Sequence, residues 1–237
     1  GAGDPRCKVY IVLAKTGNSI ENKHGNHSMF VVPSNTAGIK ILRPMQVYGH
    51  DDAPHGHMHI SFKDVKVNKE DLLLDEEGKG FEIAQGRLGP GRIHHCMRAI
   101  GQAEFALELM CNRALTRSAF GKKLSELGAN YDMIANSRIE IEMARLLCLK
   151  AAWMMDNFDS KTAAPWISKI KVIAPQVALK VVDEAIQLYG GMGVSQDTPL
   201  AAAWTHLRTL RLADGPDAVH RRQVAKAELK KFNKNDF

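Results

Sequence analysis

The chain has 237 residues, 45% of them hydrophobic and 24% charged, which suffices for one large or two modest packed domains and argues against intrinsic disorder. Its net charge of +6 suits polyanionic partners such as nucleotide phosphates, but Lys and Arg are scattered rather than massed, so no nucleic-acid surface is expected. No apolar run reaches the length of a bilayer span, and no basic-then-apolar secretory signal opens the chain.

Residues 8–67 alternate with period two between Gly, Pro, Asn and His clusters, which predicts strands at 9–13, 28–32, 39–42 and 58–62 in an antiparallel β region. In the last of these, Met58, Ile60 and Phe62 share one face, and His57, His59 and Ser61 share the other. His50, His55, His57 and His59 come with neither a cysteine nor a spaced acid pair. They read as solvent-facing histidines, and no metal is assigned.

After Asp75-Glu76-Glu77-Gly78 the period becomes helical, dividing the chain into a β part (1–77) and a helical part (78–237). Ile93, Cys96, Ile100, Ala103, Leu107, Met110 and Ala114 form one stripe. Ile134, Ile141, Ala144, Cys148, Ala151 and Met155 form a second, and Ile170, Ala174, Val177, Val181, Ala185 and Leu188 a third. Pro175 is expected to kink the third helix. Shorter helices are expected at 200–210 and 217–231. Long apolar stripes with short connections bury each other, so the predicted fold class is α+β: a partial antiparallel β domain followed by an antiparallel four-helix-type bundle. The cysteines Cys7, Cys96, Cys111 and Cys148 form no C-x-x-C pair and read as reduced thiols of an intracellular compartment.

Four segments could carry chemistry. Residues 186–194, I-Q-L-Y-G-G-M-G-V, end a helix with glycines that let backbone N–H groups approach a ligand, beside the amide of Gln187; a helix C-cap explains the same residues. Arg117-Ser118-Ala119-Phe120-Gly121 can set a guanidinium on a phosphate and a ring against a planar group, or be a capping Arg and a core Phe. Asp214, in L-A-D-G-P-D, is either a functional carboxylate or a solvated loop acid, with Asp217 as the N-cap of the last helix. Residues 86–92, G-R-L-G-P-G-R, read as glycine-rich backbone at the first long helix's N-terminus, where the dipole favours anions, or as a stiff turn; no Gly-Lys-Ser/Thr follows.

Taken in order, F-K-D-V-K-V-N-K-E-D-L-L-L-D-E-E-G-K-G-F at 62–81, T-R-S-A-F-G at 116–121, Q-L-Y-G-G-M-G at 187–193 and A-D-G-P at 213–216 resemble the acyl-CoA dehydrogenase superfamily. The resemblance covers the C-terminal, larger part of a family member: the end of its middle β domain at 1–77 and its helical bundle at 78–237. It implies FAD as cofactor. Arg117, Ser118, Ala119 and Phe120 would contact the pyrophosphate and flavin region, while Gln187, Gly190 and Gly191 would hold the adenosine side across a subunit interface. It also implies an acyl-CoA substrate near Arg92 and Gly215, with Asp214 in the place of the family's catalytic glutamate. Taking the α-proton of an acyl thioester calls for a carboxylate in an apolar pocket, where burial favours the protonated form; the β-hydrogen leaves as hydride to the flavin.

Departures accompany the match. Asp is shorter than Glu by roughly 1.5 Å of reach, and a misplacement of that size can cost about a hundredfold in rate. Gly91 stands where some branches carry an alternative base, Pro216 and Ala218 replace a hydroxyl and an amide, and Gly128 stands where an amide is common. The A-D-G-P-D loop with G-R-L-G-P-G-R-I-H-H resembles one branch, often fused to a kinase-like domain. The family's helical N-terminal domain and first β strands would precede Gly1, and the resemblance implies no competent dehydrogenase without them. It further implies a homo-oligomer (dimer or tetramer), electron transfer flavoprotein as acceptor, a role in fatty acid β-oxidation, and a mitochondrial matrix or peroxisomal location. Other readings are a non-catalytic oligomerisation module, an acyl-CoA oxidase and a nucleic-acid-binding relative.

Overall fold

The computed structural model describes residues 2–54 and 56–232. The chain divides between Arg87 and Leu88 into two compact units. The first holds two antiparallel hairpins. Strands β1 (Val9–Lys15) and β2 (His27–Pro33) pair in register from Val9 opposite Pro33 to Lys15 opposite His27. Strands β3 (Ile39–Met45) and β4 (His57–Phe62) pair from Ile39 opposite Phe62 to Met45 opposite His57, with a register shift between Ile41 and Arg43. Each expected strand is present and slightly longer, because pairing extends a strand past its last alternating residue.

On β2, Met29 and Val32 are buried, whereas Val9, Ile11 and Leu13 leave one face of β1 exposed. The buried Ser28 hydroxyl bonds the Thr16 hydroxyl at 2.6 Å and accepts from the Gly78 N–H at 2.9 Å, which anchors the turn before the first helix. Phe62 shares its strand face with Met58 and Ile60 but is 45% exposed, resting edge-on against Tyr10 at 6.2 Å between centroids.

The second unit is the bundle. Helix α1 (Gly80–Thr116) begins in the first unit and continues through the second. A two-residue hairpin, β5 (Ser118–Ala119) with β6 (Lys122–Lys123), follows it, and then α2 (Ala129–Asn157), α3 (Ser160–Tyr189), α4 (Leu200–Leu210) and α5 (Asp217–Lys230). Every residue of the first expected stripe, from Ile93 to Ala114, is buried. Ile141, Ala144, Cys148 and Ala151 of the second and Ile170, Ala174, Val181 and Ala185 of the third join it in one core. Burying an aliphatic side chain contributes about 1.5–3 kcal/mol, so these stripes hold the helices together. The Asp159 carboxylate caps α3 by accepting from the Thr162 N–H at 2.9 Å. α3 keeps its helical run through Pro165 and the buried Pro175.

Two local expectations differ. Residues 86–92 lie inside α1, with Pro90 in the helix. Their N–H groups are therefore not those of a helix start, and the expected anion-binding N-terminus is not formed there. The N-cap of α5 is Pro216, with Asp217 as its first residue. The Asp217 carboxylate instead accepts from Arg211 Nε and Nη2 at 2.9 and 2.7 Å and from Gln176 at 2.9 Å, ion pairing having outcompeted capping.

Candidate functional site

The loop between α4 and α5 is tightly determined. The N–H groups of Leu212 and Ala213 bond the Thr209 carbonyl at 2.9 and 3.0 Å, and the Asp217 N–H reaches the Arg211 carbonyl at 3.3 Å. Between these ties, Asp214 and Gly215 both take positive φ, +54° and +105°. Asp tolerates this region better than most residues, yet it stores strain of order 1 kcal/mol, and such strain persists where the surroundings enforce it. A Cβ at Gly215 would stand 2.8 Å from His220 Nε2, so the loop packs against α5 through a position that only glycine fills.

Three elements converge on that loop. From α1, Arg92 Nε donates to the Asp214 carbonyl at 2.9 Å, and His95 Nε2 lies 3.1 Å from the Asp214 carboxylate. From α3, the Lys171 ammonium, fully buried, donates to the carbonyls of Leu210 at 2.6 Å and Gly215 at 3.4 Å, bridging the two ends of the loop. From α5, the buried His220 places Nε2 at 3.2 Å from the Asp214 carbonyl and Nδ1 at 3.4 Å from the Ser168 hydroxyl, which itself donates to Gln223. Burial pushes the pKa of Arg92, His95, Lys171 and His220 down, with the Asp214 charge opposing it at the first three. Burial also pushes the nearby Cys96 thiol up to about 12, making it an unreactive core group.

The Asp214 side chain is 23% exposed, so the carboxylate is held by protein on one side and reachable from the other. Arg92, Asp214 and Gly215, separated widely in sequence, come together here. His95, Lys171 and His220 were not singled out from the sequence. Lys171 left a signal, a lysine inside the apolar stripe of α3, and His95 lay within the quoted G-R-I-H-H run without an assigned role.

The other motif residues meet elsewhere, at the C-terminal ends of α1 and α3. The Arg113 guanidinium lies 5.0 Å over the Tyr189 ring, and the Tyr189 hydroxyl donates to the Leu109 carbonyl at 3.2 Å. Arg117 and Ser118 are exposed, Ala119 is half-buried, and Phe120 is 98% exposed at the tip of the small hairpin, which excludes a core phenylalanine. Phe120 and Gly121 both have positive φ, +53° and +78°, as in a type I′ turn. At the end of α3, Gly190 (φ +64°) terminates the helix, and no heavy atom comes within 4 Å of a Cβ built on Gly190 or Gly191. Gln187 is exposed beside them. An exposed guanidinium, an aromatic ring presented at the cost of backbone strain, an amide and open glycine backbone are a donor set that fits a dinucleotide: cation and N–H groups for phosphates, ring for a planar heterocycle.

Arg92 and Thr116 are about 36 Å apart along α1 at a rise of 1.5 Å per residue. The loop carboxylate and the exposed cation–aromatic–glycine surface of one chain therefore lie at opposite ends of the bundle. His57 and His59 are exposed on β4, with His57 3.9 Å from the Asp52 carboxylate; His55 lies outside the described residues. Among the described residues no group of three or more His, Cys, Asp or Glu comes together as a metal site, and no helix is long and apolar enough to cross a membrane.

Fold and site together define an α+β protein whose helical bundle carries a loop carboxylate at one end and an exposed cation–aromatic–glycine surface at the other. Residues 78–229 match the family model of the acyl-CoA dehydrogenase C-terminal domain, and the chain belongs to that family. It is 54% identical over 231 residues to acyl-CoA dehydrogenase family member 11 of Homo sapiens, covering 97% of this chain and 30% of that protein. The same-named protein of Gallus gallus is 51% identical over 230 residues, with 97% and 30% covered. Butyryl-CoA dehydrogenase of Megasphaera elsdenii superposes with a TM-score of 0.82 at 32% identity over 94% of this chain and 56% of that one. The chain thus spans about 30% of the length of the curated relatives named above.

Proposed function

We propose that this chain supplies the C-terminal part of an FAD-dependent acyl-CoA dehydrogenase, with Asp214 as the base that takes the α-proton of an acyl-CoA thioester. The observation that carries this reading is the convergence of Arg92, Lys171 and His220 on the backbone carbonyls of a strained loop, whose one outcome is to hold the Asp214 carboxylate at a partly open surface. Three donors on backbone carbonyls hold the loop in place, so the point from which the shorter Asp side chain reaches is fixed. Arg92 and Gly215 border the substrate side.

Arg117, Ser118, Ala119, Phe120, Gln187, Gly190 and Gly191 are the residues that would hold FAD. When bound, FAD supplies the acceptor for the β-hydrogen as hydride. Because these residues lie about 36 Å from Asp214 along α1, the base of one chain and the cofactor surface of another complete one site, which makes the active species a homo-oligomer. Ile139, Met143, Leu146 and Leu149 support this: they leave an apolar stripe along α2 that is more than half exposed. Electron transfer flavoprotein is the proposed electron acceptor.

The test is reduction of protein-bound FAD by an acyl-CoA in the complete gene product, followed at the flavin absorbance band. Asp214→Asn abolishes reduction and leaves FAD bound; retained reduction in that variant removes Asp214 from the chemistry.

A further inference from the structure

We propose that His95 is a positioning residue for Asp214, donating from Nε2 to its carboxylate while Nδ1 accepts from Arg98. This rests on the reading of Asp214 as the base. The two ring nitrogens of His95 have different partners. Nε2 faces the Asp214 carboxylate at 3.1 Å, and Nδ1 faces Arg98 Nη2 at 2.5 Å. A guanidinium has only donors, so Nδ1 must accept, and the single proton of the neutral ring then sits on Nε2, aimed at the carboxylate.

The spacing that allows this is local. Arg92, His95 and Arg98 follow one another three apart on one face of α1. That face grips Asp214 twice, Arg92 by the backbone carbonyl and His95 by the side chain. Two grips on a residue at φ +54° fix the direction in which the carboxylate points, which one grip leaves free to rotate.

The charged groups that act on His95 are Arg98 on its own helix, Lys171 from α3 and Asp214 from the loop; Arg92 of α1 and His220 of α5 both bind the Asp214 carbonyl. Cations outnumber the one anion, and burial acts with Arg98 and Lys171 to keep the ring neutral. A neutral donor orients a carboxylate while leaving it able to accept a proton. An imidazolium in the same place would pair with the carboxylate and weaken it as a base.

The tautomer is read by long-range proton–nitrogen spectra of this chain labelled in histidine. The expected result is His95 in the Nε2–H form at neutral pH, and in Arg98→Met the same tautomer with a titration moved to higher pH. A wild-type His95 that is already mixed and titrates like a free histidine overturns the proposal. In the complete holoenzyme, His95→Leu lowers kcat about 10- to 100-fold with KM within about threefold. His95→Gln, which restores a donor near the Nε2 position, recovers most of that loss. Arg98→Met, at an exposed residue and so independent of folding losses, moves the acid limb of the kcat/KM profile to higher pH. An inactive Asp214→Asn with kcat and pH profile unchanged in His95→Leu, His95→Gln and Arg98→Met overturns the role of His95 alone. An active Asp214→Asn overturns the base assignment beneath it.

Discussion

The Tyr189 hydroxyl donates to the Leu109 carbonyl at 3.2 Å, while the Tyr189 ring lies beneath the Arg113 guanidinium. This contact ties the last turn of α3 to the last turns of α1, and thereby brings the R-S-A-F-G and Q-L-Y-G-G sequences, far apart in the chain, to one end of the bundle. Tyr189→Phe removes the hydroxyl donor and keeps the ring. It is expected to cost about 1 kcal/mol of unfolding free energy, and to lower FAD affinity in the holoenzyme by loosening the two surfaces relative to each other. Denaturant unfolding and flavin retention after desalting measure the two effects.

The glycines of the α3 end separate by the space around them. A Cβ on Gly193 would meet the Ile186 carbonyl oxygen at 2.7 Å and the Tyr189 Cβ at 3.0 Å, whereas one on Gly191 meets nothing within 4 Å. Gly193→Ala should therefore destabilise the protein by about 1–3 kcal/mol. Gly191→Ala should leave stability within about 0.5 kcal/mol and weaken FAD retention. A Gly191→Ala protein that binds FAD as well as wild type would release that position from the proposed cofactor surface.

Lys171 bridges the two ends of the Asp214 loop from a fully buried position. Lys171→Met keeps the length of the side chain and removes its donors. Because burying an ammonium is itself costly, global stability should change little. The loop, however, loses its clamp, and amide exchange at 211–216 should accelerate about tenfold or more. Unchanged exchange in that segment would show that Arg92 and His220 suffice.

Burial holds the pKa of both His95 and His220 below the ordinary value of 6.5. The unfolded chain then binds more protons than the folded one between those lowered values and 6.5, so stability rises with pH across that window. The contribution is fully present above 6.5 and is lost as pH falls through the window. Urea midpoints measured at pH 7.5 and at pH 5 should differ in that direction, and the difference should shrink in His220→Gln. A protein equally stable at both pH values would mean that the histidines are not buried as neutral groups.

Glu104 on α1 is held by Arg138 and Arg145 of α2, Arg138 bidentately at 2.7 and 2.8 Å. The Arg138 bond is the main reason that the Glu104 pKa lies below the usual carboxylate range, so this clamp is present above that range and lost as pH falls through the lowered value. The pair is partly solvated, and Glu104→Gln is expected to cost about 1 kcal/mol or less. That loss should diminish in high salt, which thermal unfolding at two salt concentrations would detect.

Periodicity carried most of the architecture. The strands began within a residue of their expected starts, and the α1 stripe from Ile93 to Ala114 is buried throughout, because alternation at two and at 3.6 reports which face of an isolated element must leave water. Where local rules compete with long-range ones, the sequence misled. G-R-L-G-P-G-R looks like a break, yet α1 runs through it with Pro90 in its interior, tertiary packing overriding the local preferences of glycine and proline. Asp217 looks like a cap, yet Arg211 and Gln176 claim its carboxylate.

The sequence by itself determined the element types, the family and the residue types available for chemistry, because these depend on short-range order along the chain. Only the tertiary structure decided which of them meet. It joined Asp214 to Arg92, His95, Lys171 and His220 across three helices, exposed Phe120 instead of burying it, and set the exposed Arg117 and Phe120 at the far end of α1 from the carboxylate. Those outcomes depend on how helices of particular length pack side by side, and distances of that kind are written in no local stretch of sequence.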